Sequence, residues 1–188
     1  RFDKNTEGRP LGFEDMACLS GYTAQEKYKG SYENMVARLS QMIEPDRRRA
    51  VLAQLFKSIA LSCVLGNGDA HLKNFGLLYP DPSRPADLAP TYDICCTLTY
   101  LREDQMALAM NRSKQFPGRA ILTHFGRTSC MLTPGQINSI LDEISMGVEA
   151  AMIELDYYCK QYPEFNVRCG EGMRRVWRTG MRFTIGNG

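Results

Sequence analysis

Hydrophobic residues recur at helical spacing along much of the chain, which predicts a mainly helical protein. The clearest case opens at Pro45 and Asp46 and runs to about Leu65. Its apolar positions fall every three or four residues, the spacing of one buried helix face. From residue 59 to 65 the segment is apolar on all sides, so we expect this helix to lie at the centre of the fold. The apolar positions are Val51, Leu52, Leu55, Phe56, Ile59, Ala60 and Val64.

Capping signals mark two further helices. Ser31 is a suitable N-cap for a helix that runs to about residue 43. Thr133 and Gln136 form a capping box with Pro134 at the first helical position, which predicts a long helix to about Gln161. Weaker patterns predict short helices over residues 14–19 and 120–125, and a last helix over residues 164–178 that contains two glycines.

Short apolar stretches in the middle of the chain predict a small β element. Residues 75–79 and 88–92 flank a polar and proline-rich turn at 80–85, so they are expected to pair as a hairpin. Residues 106–110 are a third strand candidate. The expected fold class is therefore mainly α (α+β), one domain over residues 1–188 with a small β-hairpin in its middle.

Composition excludes several classes of protein. Of the 188 residues 44% are hydrophobic, which is enough for a core, and a net charge of +2 does not demand a nucleic-acid partner. The seven cysteines have no CxxC spacing, which is typical of reduced thiols in a cytoplasmic protein rather than of zinc ligands. There is no signal peptide, and no apolar run reaches the length of a membrane helix.

A loop dense in reactive side chains follows the central helix. Residues 66–74 read Gly-Asn-Gly-Asp-Ala-His-Leu-Lys-Asn and lie between that helix and the first strand candidate. Asp69 and Asn74 have the spacing of the protein-kinase catalytic loop, where the Asp accepts the proton of the acceptor hydroxyl and the Asn binds Mg²⁺. A second acidic metal ligand is then required. Asp93 fits, because the predicted hairpin would carry Asn74 and Asp93 at its two open ends.

Structural interpretations compete with the functional ones at several positions. Asp69 alone could cap a turn, His71 could hold the loop together, and Lys73 could face a phosphate or pair with an acid. Asn67 is expected to stabilise the glycine-rich turn. Cys95 and Cys96 are expected to pack beneath the loop. The arginines between residues 174 and 182 are expected to form a solvated face, with DNA or an acidic partner as the minority interpretation.

Several motifs together resemble one family. They are Arg1-Phe2-Asp3, Glu14-Asp15-Met16, Lys27-Tyr28, the loop 66–74 with Phe75, and Leu88-Ala-Pro-Thr-Tyr-Asp-Ile94. In order and spacing they resemble the C-terminal half of HipA-like serine/threonine kinases, with recognisable motifs over roughly residues 1–110. The combination of an Asp-x-His-x-Lys-Asn element with a later Pro-x-Tyr-Asp element is specific.

The resemblance implies a function and a set of roles. HipA-like kinases are bacterial toxins that use ATP and Mg²⁺ to phosphorylate a protein hydroxyl, with aminoacyl-tRNA synthetases as associated substrates. Their partner is a small helix-turn-helix antitoxin of the HipB type, and DNA is contacted through that complex. By position, Asp69 would be the catalytic base, and Asn74 and Asp93 the Mg²⁺ ligands. His71 and Lys73 would act on the phosphate side.

The same resemblance places Arg1, Phe2 and Asp3 at or just after the hinge that holds the adenine. The family's nucleotide-covering lobe lies upstream of that hinge and is absent from this chain, so we expect the chain alone to be inactive or very weak. Two other functions stay open. One is a small-molecule kinase of the aminoglycoside or choline type, which uses a similar loop, and the other is a non-catalytic pseudokinase that binds an antitoxin.

Overall fold

The computed structural model describes residues 2–81 and 86–186, and this part of the chain is mainly helical with one small sheet. Arg1 and most of the predicted turn at 80–85 lie outside the described residues. The strands are β1 (Gly12–Asp15), β2 (Gly76–Tyr79) and β3 (Asp87–Leu88). The α-helices are α1 (Met16–Leu19), α2 (Tyr32–Met42), α3 (Pro45–Leu65), α4 (Arg119–Thr128), α5 (Pro134–Gln161), α6 (Pro163–Phe165) and α7 (Glu171–Gly180).

Helix α3 forms the centre of the fold, as its apolar pattern predicts. Leu52, Leu55, Phe56 and Ile59 are all fully buried, and even Ser58 and Ser62 in its second half are buried. The long helix α5 lies along α3 and buries a stripe of its own. That stripe consists of Ile137, Leu141, Ile144, Val148, Leu155 and Cys159.

The predicted caps of the long helices are confirmed. The Ser31 side chain accepts a hydrogen bond from the backbone N–H of Asn34 at the start of α2. Thr133 and Gln136 form the capping box of α5, and Pro134 occupies its first turn. Helix α3 ends at Gly66, whose φ of 67° is left-handed. Glycine adopts this conformation without steric cost, so the chain can leave α3 sharply.

The sheet is antiparallel, with β2 between β1 and β3. The predicted hairpin is therefore present, but its second strand ends at Leu88 and does not reach residue 92. The prediction of a helix over 14–19 is wrong at its start, because residues 14 and 15 belong to β1 and the helix begins at Met16. The cause is tertiary: Glu14 and Asp15 pair with Leu77 and Gly76 of β2.

The strand predicted over residues 106–110 is also wrong. Met106, Ala107, Leu108 and Met110 are buried, so burial does not alternate along the segment, and it makes only isolated bridges, from Ala109 to Ser31 and from Met110 to Ser113. Within residues 2–81 and 86–186 these bridges do not extend into a ladder.

The C-terminal helix is longer than predicted. From Pro163 it continues through a π-helical turn (Asn166–Gly170), α7 and a second π-helical turn (Met181–Ile185). It passes so close to α3 that a Cβ added at Gly180 would overlap the carbonyl oxygen of Val64. Glycine at position 180 is thus what lets the two backbones meet. No helix in the described ranges is long and apolar enough to cross a membrane.

Candidate functional site

The loop that follows α3 is held by hydrogen bonds at its start, over residues 66–69. Asn67 accepts a hydrogen bond from the backbone N–H of Asp69 at 3.1 Å, and Thr97 Oγ1 accepts one from the N–H of Gly68 at 2.8 Å. The same Thr97 hydroxyl donates to the carbonyl of Gly66 at 3.1 Å. Asn67 therefore has the turn-stabilising contact that its sequence context predicts. The loop is fixed by side chains rather than left to fluctuate.

Asn74 and Asp93 meet at the open end of the β2–β3 hairpin, as the sequence predicts. Asn74 Nδ2 donates to Asp93 Oδ2 at 2.7 Å, and Asn74 Oδ1 accepts from the N–H of His71 at 3.0 Å. Asn74 is buried, whereas Asp93 is exposed. The backbone of Asp93 is left-handed, with a φ of 55°. Such a conformation is uncommon for residues other than glycine, although Asp and Asn adopt it more readily than most.

Asp69 presents its carboxylate at the surface of the loop, with its side chain 45% exposed. Its Oδ1 accepts a hydrogen bond of 2.7 Å from the hydroxyl of Tyr28. Its Oδ2 lies 3.9 Å from His71 Nε2, which is too far for a hydrogen bond. One carboxylate oxygen is thus occupied by the protein, and the other is available for a hydroxyl from outside.

His71 is buried beneath Tyr28, whose ring meets the imidazole edge-on at 5.1 Å between centroids. Burial lowers the pKa of His71, and the charge of Lys27 acts in the same direction, although the Asp69 and Asp93 carboxylates oppose both. His71 Nδ1 makes no hydrogen bond within the described residues. The imidazole is therefore a neutral group packed under the loop, and its predicted catalytic role stays a prediction.

Lys73 pairs with an acid, which is the second of the two interpretations left open for it. Its Nζ lies 2.5 Å from Asp15 Oδ2, and the two side chains are 43% and 14% exposed. Burial would raise the pKa of Asp15. The hydrogen bonds from Lys73 and from the N–H of Cys18 outweigh burial and hold that pKa below its usual value. The pair ties the loop to the junction of β1 and α1.

An aromatic cluster covers the side of the site next to Asp93. The ring of Tyr92 stacks on Phe2 at 5.1 Å and meets Phe13 edge-on at 6.0 Å. The Tyr92 hydroxyl donates to the carbonyl of Lys73 at 2.6 Å, which fixes the segment before Asp93 against the loop. Phe2 is therefore packed beside Tyr92, whereas the backbone carbonyl of Asp3 bonds the N–H of Leu11, and Arg1 is outside the described residues. That these residues lie near the adenine stays a prediction.

The two cysteines after Asp93 differ from each other. Cys96 is buried, as predicted, but Cys95 is exposed and its thiol donates to Asn67 Oδ1 at 3.3 Å. The prediction that both pack beneath the loop is wrong for Cys95. Residues 93–95 are all exposed, and the chain enters the core only at Cys96.

The donor set at Asn74 and Asp93 fits a magnesium ion. Mg²⁺ takes oxygen ligands and is bound typically by one or two carboxylates, with phosphate oxygens and water completing its shell. Asp93 supplies an exposed carboxylate, and the amide oxygen of Asn74 keeps a second lone pair beside its bond to His71. Among residues 2–81 and 86–186, no group of three or more His, Cys, Asp or Glu side chains could hold a metal ion. A Mg²⁺ ion at this site would therefore need ligands such as phosphate oxygens and water in addition to the protein.

Sequence reasoning missed three residues that shape the site. Tyr28 bonds the Asp69 carboxylate, Tyr32 donates to the carbonyl of Ala70 at 2.9 Å, and Thr97 bonds both glycines of the loop. Lys27-Tyr28 stands out in the sequence as a motif whose role is not readable from chemistry. Tyr32 and Thr97 carry no such signal, because each contact spans at least 29 residues of chain.

The structure has a helical lobe, a braced loop that presents Asp69, and a hairpin end that joins Asn74 to Asp93. This arrangement is that of a kinase-like domain. The particular family follows from comparison with known proteins. A profile described as the HipA-like C-terminal domain matches residues 1–152. The chain therefore belongs to the HipA-like C-terminal domain family.

Individual relatives agree with that membership. The candidate kinase Y4dM of Sinorhizobium fredii is 38% identical over 117 residues, which are 61% of this chain and 27% of Y4dM. A candidate kinase of Haemophilus influenzae is 30% identical over 109 residues, 53% of this chain and 30% of that protein. The chain thus matches less than a third of the length of either relative.

The fold agrees with a solved structure. A chain of the Shewanella oneidensis MR-1 complex of HipA, HipB and operator DNA superposes with a TM-score of 0.67 at 19% sequence identity. The superposition covers 97% of this chain and 47% of that one. At this identity the likeness shows the fold alone.

Proposed function

We propose that this chain is the catalytic lobe of an ATP- and Mg²⁺-dependent kinase that phosphorylates a serine or threonine hydroxyl of a protein. The observation that carries the proposal is the contact of 2.7 Å between Asn74 and Asp93 beside a loop that presents Asp69. Membership of the HipA-like family supports it.

Each residue has a distinct role in the proposed reaction. The acceptor oxygen forms a bond to the γ-phosphorus of ATP while the bond from that phosphorus to the bridging oxygen of ADP breaks. The proton of the acceptor hydroxyl passes to the free oxygen of Asp69. Asn74 and Asp93 would hold Mg²⁺, which when bound neutralises charge on the phosphates.

Lys73 contributes to the site through its ion pair with Asp15. The pair draws the Lys73 ammonium toward the β1–α1 junction, next to the loop that carries Asp69 and Asn74. In this position Lys73 anchors the loop, and its proposed phosphate-side role requires that the ammonium leave Asp15 for the phosphate. We assign His71 to the support of Asp69, because its buried ring packs against Tyr28, which bonds Asp69.

The partners follow from the family. The solved neighbour is a complex of HipA with HipB and operator DNA, as its description states. We propose that the protein that carries this chain also binds a small HipB-like antitoxin and meets DNA through that complex. An aminoacyl-tRNA synthetase is the proposed class of substrate, from the family resemblance.

Transfer of the γ-phosphate in the natural protein tests the proposed function. The protein is incubated with γ-labelled ATP, Mg²⁺ and candidate protein acceptors, and the label is followed by mass spectrometry. We expect a gain of one phosphate on a Ser or Thr, and a loss of about a hundredfold or more in rate with Asp69→Asn. Label on an aminoglycoside or an amino alcohol instead would show a small-molecule kinase, and no binding of Mg²⁺ and ATP would show a pseudokinase.

A further inference from the structure

Tyr28 contacts Asp69, the residue proposed to accept the proton of the acceptor hydroxyl. Its hydroxyl donates a hydrogen bond of 2.7 Å to Asp69 Oδ1. We propose that Tyr28 is a positioning residue for phosphoryl transfer, which fixes the Asp69 carboxylate so that Oδ2 faces the acceptor hydroxyl. This inference rests on the proposed function, since it gives a role to the residue that orients the base.

Two contacts hold the Tyr28 side chain, and a third ties the neighbouring backbone to the loop. Its ring meets His71 edge-on at 5.1 Å, and the Lys27 ammonium lies 4.9 Å from the ring centroid on its face. The backbone carbonyl of Lys27 accepts a hydrogen bond from the N–H of Leu72 at 3.1 Å, which ties this segment to the loop itself. A ring so constrained can hold a carboxylate in one orientation.

Protonation keeps the hydrogen bond in the required direction. The bond to Asp69 raises the pKa of Tyr28, and burial adds to that effect, so the phenol stays protonated and donates. A phenol on one oxygen of a carboxylate removes free rotation of that group. An acceptor hydroxyl then meets Oδ2, and placement of the reacting groups is where much of the rate of phosphoryl transfer originates.

A purely structural role is the alternative, and stability distinguishes it. Tyr28 is 44% exposed, and its partner is a surface carboxylate that water can solvate once the hydroxyl is gone. Loss of the hydroxyl should therefore change the melting temperature little. Tyr32 offers the contrast, because it is 1% exposed and bonds a buried backbone carbonyl of the same loop. Loss of that hydroxyl leaves a buried acceptor unpaired and should lower stability.

The test compares Tyr28→Phe, Tyr32→Phe and Asp69→Asn in the natural protein, with the exposed Tyr157→Phe as a neutral control. We expect Tyr28→Phe to lower kcat by about tenfold with the KM for ATP unchanged. The binding stoichiometry for Mg²⁺–ADP should stay that of the wild type, which excludes a loss of folded protein. Tyr32→Phe should give the opposite pattern, with a lower melting temperature and a smaller effect on kcat.

The outcomes separate the two proposals. If wild type transfers phosphate, Asp69→Asn abolishes transfer and Tyr28→Phe keeps kcat within about twofold of wild type, the positioning role of Tyr28 is overturned and the kinase assignment stands. If Asp69→Asn retains activity, the proposed kinase mechanism is wrong, and the role of Tyr28, which rests on it, is wrong as well. A fall in kcat that follows the melting temperature across all the variants would show a structural role and would also overturn the inference.

Discussion

The amide nitrogen of Asn74 donates a hydrogen bond of 2.7 Å to Asp93, although the two residues lie 19 positions apart at opposite ends of the β2–β3 hairpin. This contact brings together the two oxygen-bearing side chains that the proposed Mg²⁺ site needs. Because this contact depends on the hairpin, we expect a change in the sheet to alter the proposed metal site as well.

Replacement of Asp93 by Asn should remove metal binding while the fold is kept. Asn preserves the size of the side chain and tolerates a left-handed backbone, but it removes the charge that would attract Mg²⁺. We expect the affinity for Mn²⁺ in the presence of ADP, followed by electron paramagnetic resonance, to fall by about tenfold or more. The matched control is Glu103→Gln, an exposed acid nearby in sequence, which should leave Mn²⁺ affinity unchanged. Equal loss in both variants would mean general electrostatic attraction and no specific site.

His71 should make stability dependent on pH just below neutrality. Burial holds the pKa of His71 below its unfolded value of 6.5, so the unfolded chain takes up a proton first as the pH falls. The stabilisation of the fold by the neutral, buried imidazole is fully present above pH 6.5 and is lost as the pH falls toward the pKa of the folded state. Urea unfolding between about pH 7 and pH 5 should show a decline that His71→Gln makes shallower. The protein has only two histidines, and His124→Gln is the control. A decline of the same slope in both variants and in wild type would assign it to other groups.

The pair Asp15–Lys73 should contribute modestly to stability. Asp15→Asn removes the ion pair but keeps a side chain able to cap α1, so with Lys73 partly exposed we expect a loss of about 0.5–1 kcal/mol. Asp15→Ala removes the cap as well and should cost roughly 1 kcal/mol more. Chemical denaturation measures both. If Asn and Ala cost the same, the hydrogen bond to Cys18 contributes nothing, and if Asn costs nothing, solvent screens the pair fully.

Replacement by alanine should change the stability of the protein in opposite directions at two helical glycines. A Cβ at Gly147 in α5 meets open space, so Gly147→Ala should stabilise the protein by about 0.5–1 kcal/mol through helix propensity. A Cβ at Gly180 would overlap the Val64 carbonyl, so Gly180→Ala should destabilise by about 1–3 kcal/mol as α7 is forced away from α3. Thermal unfolding followed by circular dichroism compares the two. A stabilising effect of both would disprove the close approach of the two helices.

Thr97 should hold the loop in place through its two hydrogen bonds. Thr97→Val keeps the shape but leaves the N–H of Gly68 and the carbonyl of Gly66 without that partner, so we expect a loss of about 1–3 kcal/mol. Hydrogen exchange should rise at residues 66–70. Thr128→Val, on an exposed turn of α4, is the control and should leave exchange in the loop unchanged. If hydrogen exchange at residues 66–70 is equally slow in both variants, the hydrogen bonds of Thr97 do not hold the loop in place.

Local signals predict the elements whose determinants are local. The caps at Ser31 and Thr133, and the apolar stripe of α3, set helix ends and buried faces within a few residues, so these predictions are confirmed. Strand β1 could not be predicted this way. Its last two residues, Glu14 and Asp15, are predicted to start a helix, and they become part of a strand by pairing with residues more than 60 positions away.

The candidate site also has one part that the sequence predicts and another that only the tertiary fold determines. The spacing of Asp69, Asn74 and Asp93 is a property of the sequence, and the structure brings Asn74 and Asp93 together as the spacing suggests. What holds Asp69 is a property of the tertiary fold, because the hydroxyl of Tyr28 arrives from 41 residues upstream. The ion pair of Lys73 likewise needs Asp15, which lies 58 residues away. A sequence pattern can name the reacting groups before it can name the residues that orient them.

The left-handed backbone at Asp93 has a consequence for directed evolution of this protein. Glycine there would recover conformational energy on the order of 1 kcal/mol, but it would also remove the acceptor of the buried Asn74 amide. Asparagine tolerates the left-handed backbone and keeps an acceptor, so a library selected for heat resistance alone would accept asparagine at position 93 and lose the negative charge. A screen of this protein must therefore reward metal affinity as well as stability.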